Sequence, residues 1–259
     1  MANQPAKLDL SIPFSMTFDF SSSDEQEILQ YLQNNGYQLI AYRGATGSAQ
    51  VTAGLPTWFT IPFLNIFGIF RVSYTPIYKI YVFNQAEVAA NTIIEMQALS
   101  SETELGSAFN FTQSGQFTSN GTAPRGTITL TNLRPAGTPN VTVGLAGLVN
   151  SPSGSQYLPF CAFTLTPQGS ITMAPTETVA MMAAQVDLQS GNVQANASAP
   201  GCSFTFDSSN LAYDLMIQDS TYTITGAPGA APVTPMSSGQ ALSFLNNSAP
   251  PLRVSAGRS

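Results

Sequence analysis

The chain has 259 residues, a hydrophobic content of 43% and a formal net charge of −6. Charged residues make up only 8% of it, against roughly 25% in typical soluble domains. With eight Lys and Arg in total and none from Pro135 to Leu252, the composition argues against nucleic-acid binding, which needs cations to neutralise phosphates, and against an electrostatic anchor on acidic lipid.

Histidine is absent from the sequence. This excludes Ser-His-Asp and Cys-His catalysis and removes the commonest general base and metal ligand. The glycines form neither a P-loop nor a G-x-G-x-x-G pattern. We therefore expect a protein that is not an enzyme and that holds no cofactor and no metal.

The chain begins with the pattern of one strand and one helix. Residues 8–20 alternate between apolar and polar side chains, which is typical of a half-buried strand, with a break or bulge at Pro13. Ser22 and Glu25 then have the spacing of a capping box. With Gly36 as the end signal, the sequence predicts a helix over about residues 23–35.

The most apolar stretch, residues 55–83, contains the only tryptophan and is called the aromatic block here. It predicts strands at 58–61 and 70–83 with a bend at 62–68. Because both faces of 70–83 are mostly apolar, this strand should be central and covered on both sides. Weaker patterns around the block predict a short strand at 50–52, a helical crossover at 84–91 and a strand at 92–99.

Residues 106–235 have the pattern of short strands between Gly, Pro, Ser and Asn clusters, which is typical of a sandwich or barrel. Tight hairpins are predicted at Ser114-Gly115 and Gln168-Gly169. The predicted fold is mainly β, an antiparallel β-sandwich or barrel-like architecture with one short N-terminal helix. The strands are predicted at 107–113, 116–119, 127–131, 140–148, 157–166, 170–174, 179–187, 202–207, 213–218 and 221–225.

Composition divides the chain into three regions. Residues 1–99 form an N-terminal β-rich region, residues 100–235 a β-sandwich region that is either separate or continuous with the first, and residues 236–259 a C-terminal tail. The N-terminus has no apolar signal core, and the uncharged run 55–70 is shorter than a membrane span. We expect synthesis in the cytosol. The protein either stays there or is released by a route that reads no N-terminal signal.

A few polar residues could form a metal site, a reactive thiol or a catalytic carboxylate pair, but the residues around them do not favour these roles. Asp207, Ser209 and Asn210 fit either a calcium site or an Asx-turn, and the spacing favours the turn. Cys161 and Cys202 have apolar or small neighbours and are expected to be free and buried. Paired carboxylates could still support a glycosidase, but no acidic residue lies in a recognisable motif.

Low charge and many neutral hydrogen-bonding side chains favour a non-enzymatic protein that works through surface contacts, by self-assembly or by recognition of a carbohydrate or protein surface. Its partner would be a further copy of the chain or a surface ligand. The first alternative is a membrane-active toxin that uses the Trp/Phe cluster, although such clusters are more often core; the second is the carboxylate glycosidase. The candidate binding residues are Trp58, Phe59, Phe63, Phe67, Leu242 and Phe244.

Overall fold

The computed structural model describes residues 13–247. Over this range the chain is mainly β, with two mixed, largely antiparallel sheets packed together and one short helix near the N-terminus. The sheets do not close into a barrel, so the sandwich form of the prediction is confirmed. Residues 8–12 of the first predicted strand and residues 248–259 of the predicted tail lie outside the described residues. No helix within the described range combines the length and apolar character needed to cross a membrane.

The elements follow one another as strands with few interruptions. They are β1 (Phe14–Asp19), α1 (Ser23–Asn34), β2 (Gln38–Thr46), β3 (Leu55–Pro56), β4 (Phe59–Pro62), a 3₁₀ turn (Phe63–Asn65), β5 (Ile69–Phe83), β6 (Ala98–Leu99), β7 (Ser107–Phe111), β8 (Phe117–Thr122), β9 (Ile128–Asn132), β10 (Val141–Ser151), β11 (Gly154–Pro159), β12 (Phe163–Leu165), β13 (Ser170–Ala184), β14 (Val193–Gln194), β15 (Gly201–Thr205), β16 (Ala212–Ile217), β17 (Ile224–Gly226), β18 (Thr234–Met236) and a second 3₁₀ turn (Leu242–Asn246).

Each sheet combines strands from distant parts of the chain. Sheet A has the order β11-β10-β5-β1-β16-β17, with β12 beside β10 and β6 beside β5. Sheet B has the order β18-β15-β13-β9-β7-β8, with β2 beside β13 and β4 beside β2. Parallel pairing of β1 with β16 and of β7 with β9 makes both sheets mixed. Strands from residues 1–99 and 100–235 are therefore interleaved in both sheets.

The predicted first strand and helix are observed. β1 starts directly after Pro13. The helix α1 begins after Ser22, whose hydroxyl accepts a hydrogen bond from the backbone N–H of Glu25 at 3.3 Å. Its buried side chains are Leu29 and Leu32. The helix prediction is confirmed because both its start signal and its apolar stripe are local in sequence.

Strand β5 is central, between β10 and β1, as predicted. The face that includes Val72, Tyr78 and Ile80 is buried along the whole strand. The opposite face is exposed at Ile69 and becomes buried only from Tyr81 onward. Burial on both faces is therefore confirmed for the end of the strand and wrong for its beginning, where the outer face is not covered.

The weaker predictions around the aromatic block are wrong. Residues 50–52 form a single bridge rather than a strand. Residues 84–91 contain no helix, and residues 92–99 contribute only the two-residue β6. These segments are connections whose conformation is set by their neighbours, so short apolar runs were poor guides there.

Of the two predicted hairpins, one is confirmed. Ser114-Gly115 joins the paired strands β7 and β8. The turn at Gln168-Gly169 instead joins β12, which pairs in sheet A, to β13, which pairs in sheet B. The turn is present, but the chain passes from one sheet to the other there. The residues of a turn do not determine whether the two strands that it connects pair with each other.

The segment after residue 226 is packed more than composition indicated. β18 pairs with β15 in sheet B. Leu242 and Leu245 of the second 3₁₀ turn are fully buried and belong to an apolar cluster with Ile40 of β2. Up to residue 247, this segment therefore forms part of the folded body.

Candidate functional site

The structure places most of the candidate binding residues in the interior. Trp58, Phe59 and Phe63 are at most 2% exposed and lie in the main core cluster between the sheets. Leu242 is buried and Phe244 is half-buried in the cluster against β2. Large aromatic side chains contribute most when they are removed from water, which explains why the fold uses them as core.

A buried polar cluster crosses between the two sheets beside Trp58. Arg43 lies on β2, Glu177 on β13, and Tyr74 and Tyr78 on β5. The Arg43 Nη2 and Glu177 Oε2 atoms are 2.9 Å apart. Tyr74 and Tyr78 both donate hydrogen bonds to the Glu177 carboxylate. We call these four residues the intersheet cluster, because their hydrogen bonds join sheet A to sheet B.

The guanidinium of Arg43 is surrounded rather than solvated. Its Nε donates to the Thr176 carbonyl oxygen at 2.7 Å, and its Nη2 donates to the Tyr78 hydroxyl at 3.0 Å. Its Nη1 has no hydrogen-bond acceptor among the described residues. The ring centroids of Tyr74 and Phe160 lie 4.6 and 4.8 Å from its central carbon, at distances where aromatic faces attract a cation.

Burial and the attraction between the charges oppose each other in the intersheet cluster. Burial raises the pKa of Glu177 above its ordinary value, although Arg43 and the tyrosine hydroxyls oppose this. Burial also lowers the pKa of Arg43, but Glu177 and the tyrosines together hold it above the ordinary value. Because both side chains are almost completely buried, the cluster cannot receive a substrate. Its geometry supports a structural role.

The exposed part of the aromatic block is the bend that follows β4. Leu64, Phe67 and Ile69 are 66%, 70% and 66% exposed, while the interspersed Phe63 and Ile66 are fully buried. We call Leu64, Phe67 and Ile69 the apolar tip. Phe67 was among the predicted binding residues; Leu64 and Ile69 were not, although the predicted bend at 62–68 includes the first and adjoins the second.

Backbone contacts hold the apolar tip in a defined shape. The Ile66 N–H donates to the Phe63 carbonyl oxygen at 2.9 Å, and Gln33 Nε2 of α1 donates to the Ile66 carbonyl oxygen at 3.0 Å. Gly68 has φ +54°, a conformation that glycine adopts without steric cost, and its carbonyl oxygen accepts from the Phe20 N–H at 3.0 Å. The three side chains are therefore presented from a supported loop.

Two charges adjoin the apolar tip on the outer face of sheet A. Asp19 pairs with Ile69, and Thr17 pairs with Arg71, so these four side chains share one face. Arg71 Nε donates to Thr17 Oγ1 at 3.3 Å. In residues 13–247 the ion pair of the intersheet cluster is the only one, so Asp19 and Arg71 are not paired with each other.

A shallow groove lies on the other side of Phe67, between the apolar tip and α1. Its floor is apolar and its rim carries neutral amides. The lining residues are Phe20, Gln26, Leu29, Gln30, Gln33, Phe67 and Gly68. The groove therefore places uncharged polar side chains next to the exposed ring of Phe67.

A second candidate region is an acidic cleft of about 570 Å³ between α1 and the β16–β17 turn. The Tyr31 and Tyr222 rings stack across it, with centroids 4.2 Å apart and planes 5° apart. Burial, with help from Asp19 and Asp24, raises the pKa of Glu25. The lining residues are Asp24, Glu25, Glu27, Ile28, Tyr31, Met216, Asp219 and Tyr222. Asp24 and Glu25 stabilise the first turn of α1, which accounts for part of the acidity.

The remaining polar candidates have structural explanations. The Asp207 carboxylate accepts from the backbone N–H groups of Ser209 and Asn210 at 2.7 and 2.9 Å, which confirms the Asx-turn. Cys161 and Cys202 are free and buried, as predicted. Burial raises the pKa of both thiols to about 12, so they are poor nucleophiles. Within the described range, no group of three or more acidic or cysteine side chains is arranged to hold a metal ion.

Sequence reasoning missed the intersheet cluster and two of the three tip residues. Arg43 and Glu177 are far apart in the chain, and each is a single charge in an apolar strand. That isolation was the available signal, since a lone charge among buried residues needs a partner.

Comparisons of this chain with protein-family models, with curated proteins and with solved structures found no match.

Proposed function

We propose that this protein is a non-enzymatic contact protein whose contact surface is the apolar tip. The observation that carries the proposal is the tip itself, with three large apolar side chains 66–70% exposed within six residues. Isolated exposed apolar side chains are common, whereas contiguous apolar patches mark interaction surfaces. The neighbouring side chains Phe63, Ile66 and Phe70 are buried, so these three are held outward by the fold.

The expected strength of such a contact is moderate. Full burial of one large apolar side chain gives roughly 1.5–3 kcal/mol, so three give at most about 4.5–9 kcal/mol before the costs of association. The supported loop reduces the cost of ordering the contact surface. The surface therefore suits a reversible contact better than a permanent one.

The test replaces the apolar tip and a matched exposed residue elsewhere. The variant Leu64→Ser/Phe67→Ser/Ile69→Ser removes the tip, and Leu133→Ser removes another exposed leucine, which is 43% exposed. Self-association is followed by sedimentation velocity and lipid association by vesicle co-sedimentation. We expect the triple variant to lose whichever association the wild type shows and Leu133→Ser to keep it. Equal association of all three proteins, or none by the wild type, would contradict the proposal.

The acidic cleft favours one second candidate, a carboxylate glycosidase. A raised pKa favours the protonated carboxyl that a general acid needs, and burial raises the pKa of Glu25. Asp219 lines the same cleft as a candidate second carboxylate, and the stacked Tyr31 and Tyr222 offer aromatic surface to a sugar ring. Hydrolysis of a polysaccharide from a panel, lost in both Glu25→Gln and Asp219→Asn, would establish it. Absence of hydrolysis by the wild type would remove it.

A further inference from the structure

The shape of the apolar tip limits what it can bind. Leu64 projects from the 3₁₀ turn, Phe67 from the loop that follows it and Ile69 from the first position of β5, and about two thirds of each side chain is in contact with solvent. A convex apolar projection fits a partner that deforms around it. The boundary between lipid headgroups and acyl chains accepts side chains in this way.

Two charged residues next to the apolar tip indicate what kind of partner surface it fits. Asp19 lies opposite Ile69 on the outer face of sheet A, and Arg71 lies one pair further along the same face. Hydrogen bonds from Ser21 lower the pKa of Asp19, which is therefore ionised at neutral pH. The Nε atom of Arg71 donates a hydrogen bond to the Thr17 hydroxyl. A negative group therefore stands beside Ile69, and a positive group stands one residue pair further from the tip on the same face.

We propose that the partner of the apolar tip is a zwitterionic phospholipid surface. Leu64, Phe67 and Ile69 enter the boundary between headgroups and acyl chains. Arg71 then faces the phosphate and Asp19 faces the quaternary ammonium of the headgroup. This inference rests on the proposed function, since it names the partner of the same contact surface.

The rest of the neighbourhood agrees with an uncharged lipid. Gln26, Gln30 and Gln33 line the groove beside Phe67 and add no charge to it. An anionic surface would repel a chain of net charge −6, and the tip lacks the cluster of Lys and Arg that anionic lipids require. Three side chains are comparable with one acyl anchor, so we expect weak, reversible binding with a partition constant on the order of 10⁴ M⁻¹.

The experiment measures co-sedimentation of the full chain with phosphatidylcholine vesicles. The wild type should bind. Binding should fall at least tenfold in the triple variant Leu64→Ser/Phe67→Ser/Ile69→Ser, remain unchanged in Leu133→Ser, and fall by a smaller factor in Arg71→Gln. Replacing about a third of the lipid with phosphatidylserine should weaken binding. The fluorescence of Trp58, which is buried and unique in the chain, reports whether each variant is folded.

A gain-of-signal variant keeps the test valid if the triple variant fails to fold. Phe67→Trp places a second indole on the tip, and its emission should shift to shorter wavelength when phosphatidylcholine vesicles are added. Failure of the wild type to bind these vesicles, or an unshifted Phe67→Trp emission, would overturn the lipid inference. If sedimentation velocity then showed self-association that depends on the tip, the contact function would stand with a second copy as partner. If neither association depended on the tip, both proposals would fail.

Discussion

Two neighbouring parts of the aromatic block have opposite environments. Leu64, Phe67 and Ile69 are largely exposed, whereas Tyr74 and Tyr78, a few residues further along, are fully buried and hydrogen-bonded to Glu177. Composition does not separate the two parts. The difference comes from what lies opposite: Tyr74 and Tyr78 are on the face of β5 that meets Glu177 of sheet B, whereas Leu64 and Phe67 lie in the bend before β5 and Ile69 is on its other face, where no second layer covers them. Apolar residues are therefore core only where another surface covers them.

The largest effect should come from breaking the ion pair of the intersheet cluster. Arg43→Gln leaves the buried Glu177 carboxylate without its counterion, which should lower the free energy of unfolding by about 3–5 kcal/mol. Urea unfolding followed by Trp58 fluorescence measures this. Arg71→Gln, at an exposed arginine, is the control and should change stability by less than about 0.5 kcal/mol. Similar stabilities for the two variants would show that the cluster does not join the sheets.

Two phenylalanines in the bend sharpen the comparison within a single loop. Phe63 is fully buried and Phe67 is 70% exposed. Phe63→Ala should cost about 3–5 kcal/mol because it opens a cavity, whereas Phe67→Ala should stay within about 0.5 kcal/mol. The same urea titration measures both variants. A large loss of stability in Phe67→Ala would mean that the tip packs against the body of the protein.

The pH dependence of the free energy of unfolding should distinguish Glu177 of the intersheet cluster from the exposed carboxyls. Because burial raises the folded pKa of Glu177 above its unfolded value near 4.5, the folded state holds the proton more tightly. This contribution to stability is fully present below pH 4.5 and is lost as pH rises through the folded pKa. Glu177→Gln should remove the resulting slope in urea titrations run from pH 4.5 upward.

Other carboxyls provide the controls for that slope. Glu25 also has a raised pKa, so Glu25→Gln measures its share separately. Asp19 and Asp207 have lowered pKa values and stabilise in the opposite sense, with a contribution that is lost as pH falls below about 3.8. An unchanged slope in Glu177→Gln would show that Glu177 does not titrate differently in the folded protein.

A smaller loss of stability than in the buried variants is expected at the turn that presents the tip. Gly68 has φ +54° and open space around the position of an added Cβ. Gly68→Ala should therefore cost only the conformational strain, about 1–2 kcal/mol. Gly36, with φ +67° and equally open surroundings, is the matched control, and thermal unfolding of both variants should give similar shifts. A much larger shift at Gly68 would indicate that the tip depends on a tightly fixed turn.

The candidate site was predictable only in part. The aromatic block and its bend were recognisable from apolar content, and Phe67 was named within it. Trp58, Phe59 and Phe63 were named for the same reason and are buried, because hydrophobicity alone does not give the direction of a side chain. The intersheet cluster combines residues of β2, β13 and β5, which come together only when the two sheets form and pack, so no local pattern contained it.

The sequence by itself determined the mainly β class, the helix α1 and the absence of histidine-based chemistry. Alternation, capping and composition are properties of neighbouring residues, so they can be read before the chain is folded. Only the tertiary structure decided which strands share a sheet, that the Gln168-Gly169 turn joins two sheets, and that Arg43 finds Glu177. It also decided that Leu64, Phe67 and Ile69 remain outside, because exposure depends on which distant surface covers a residue.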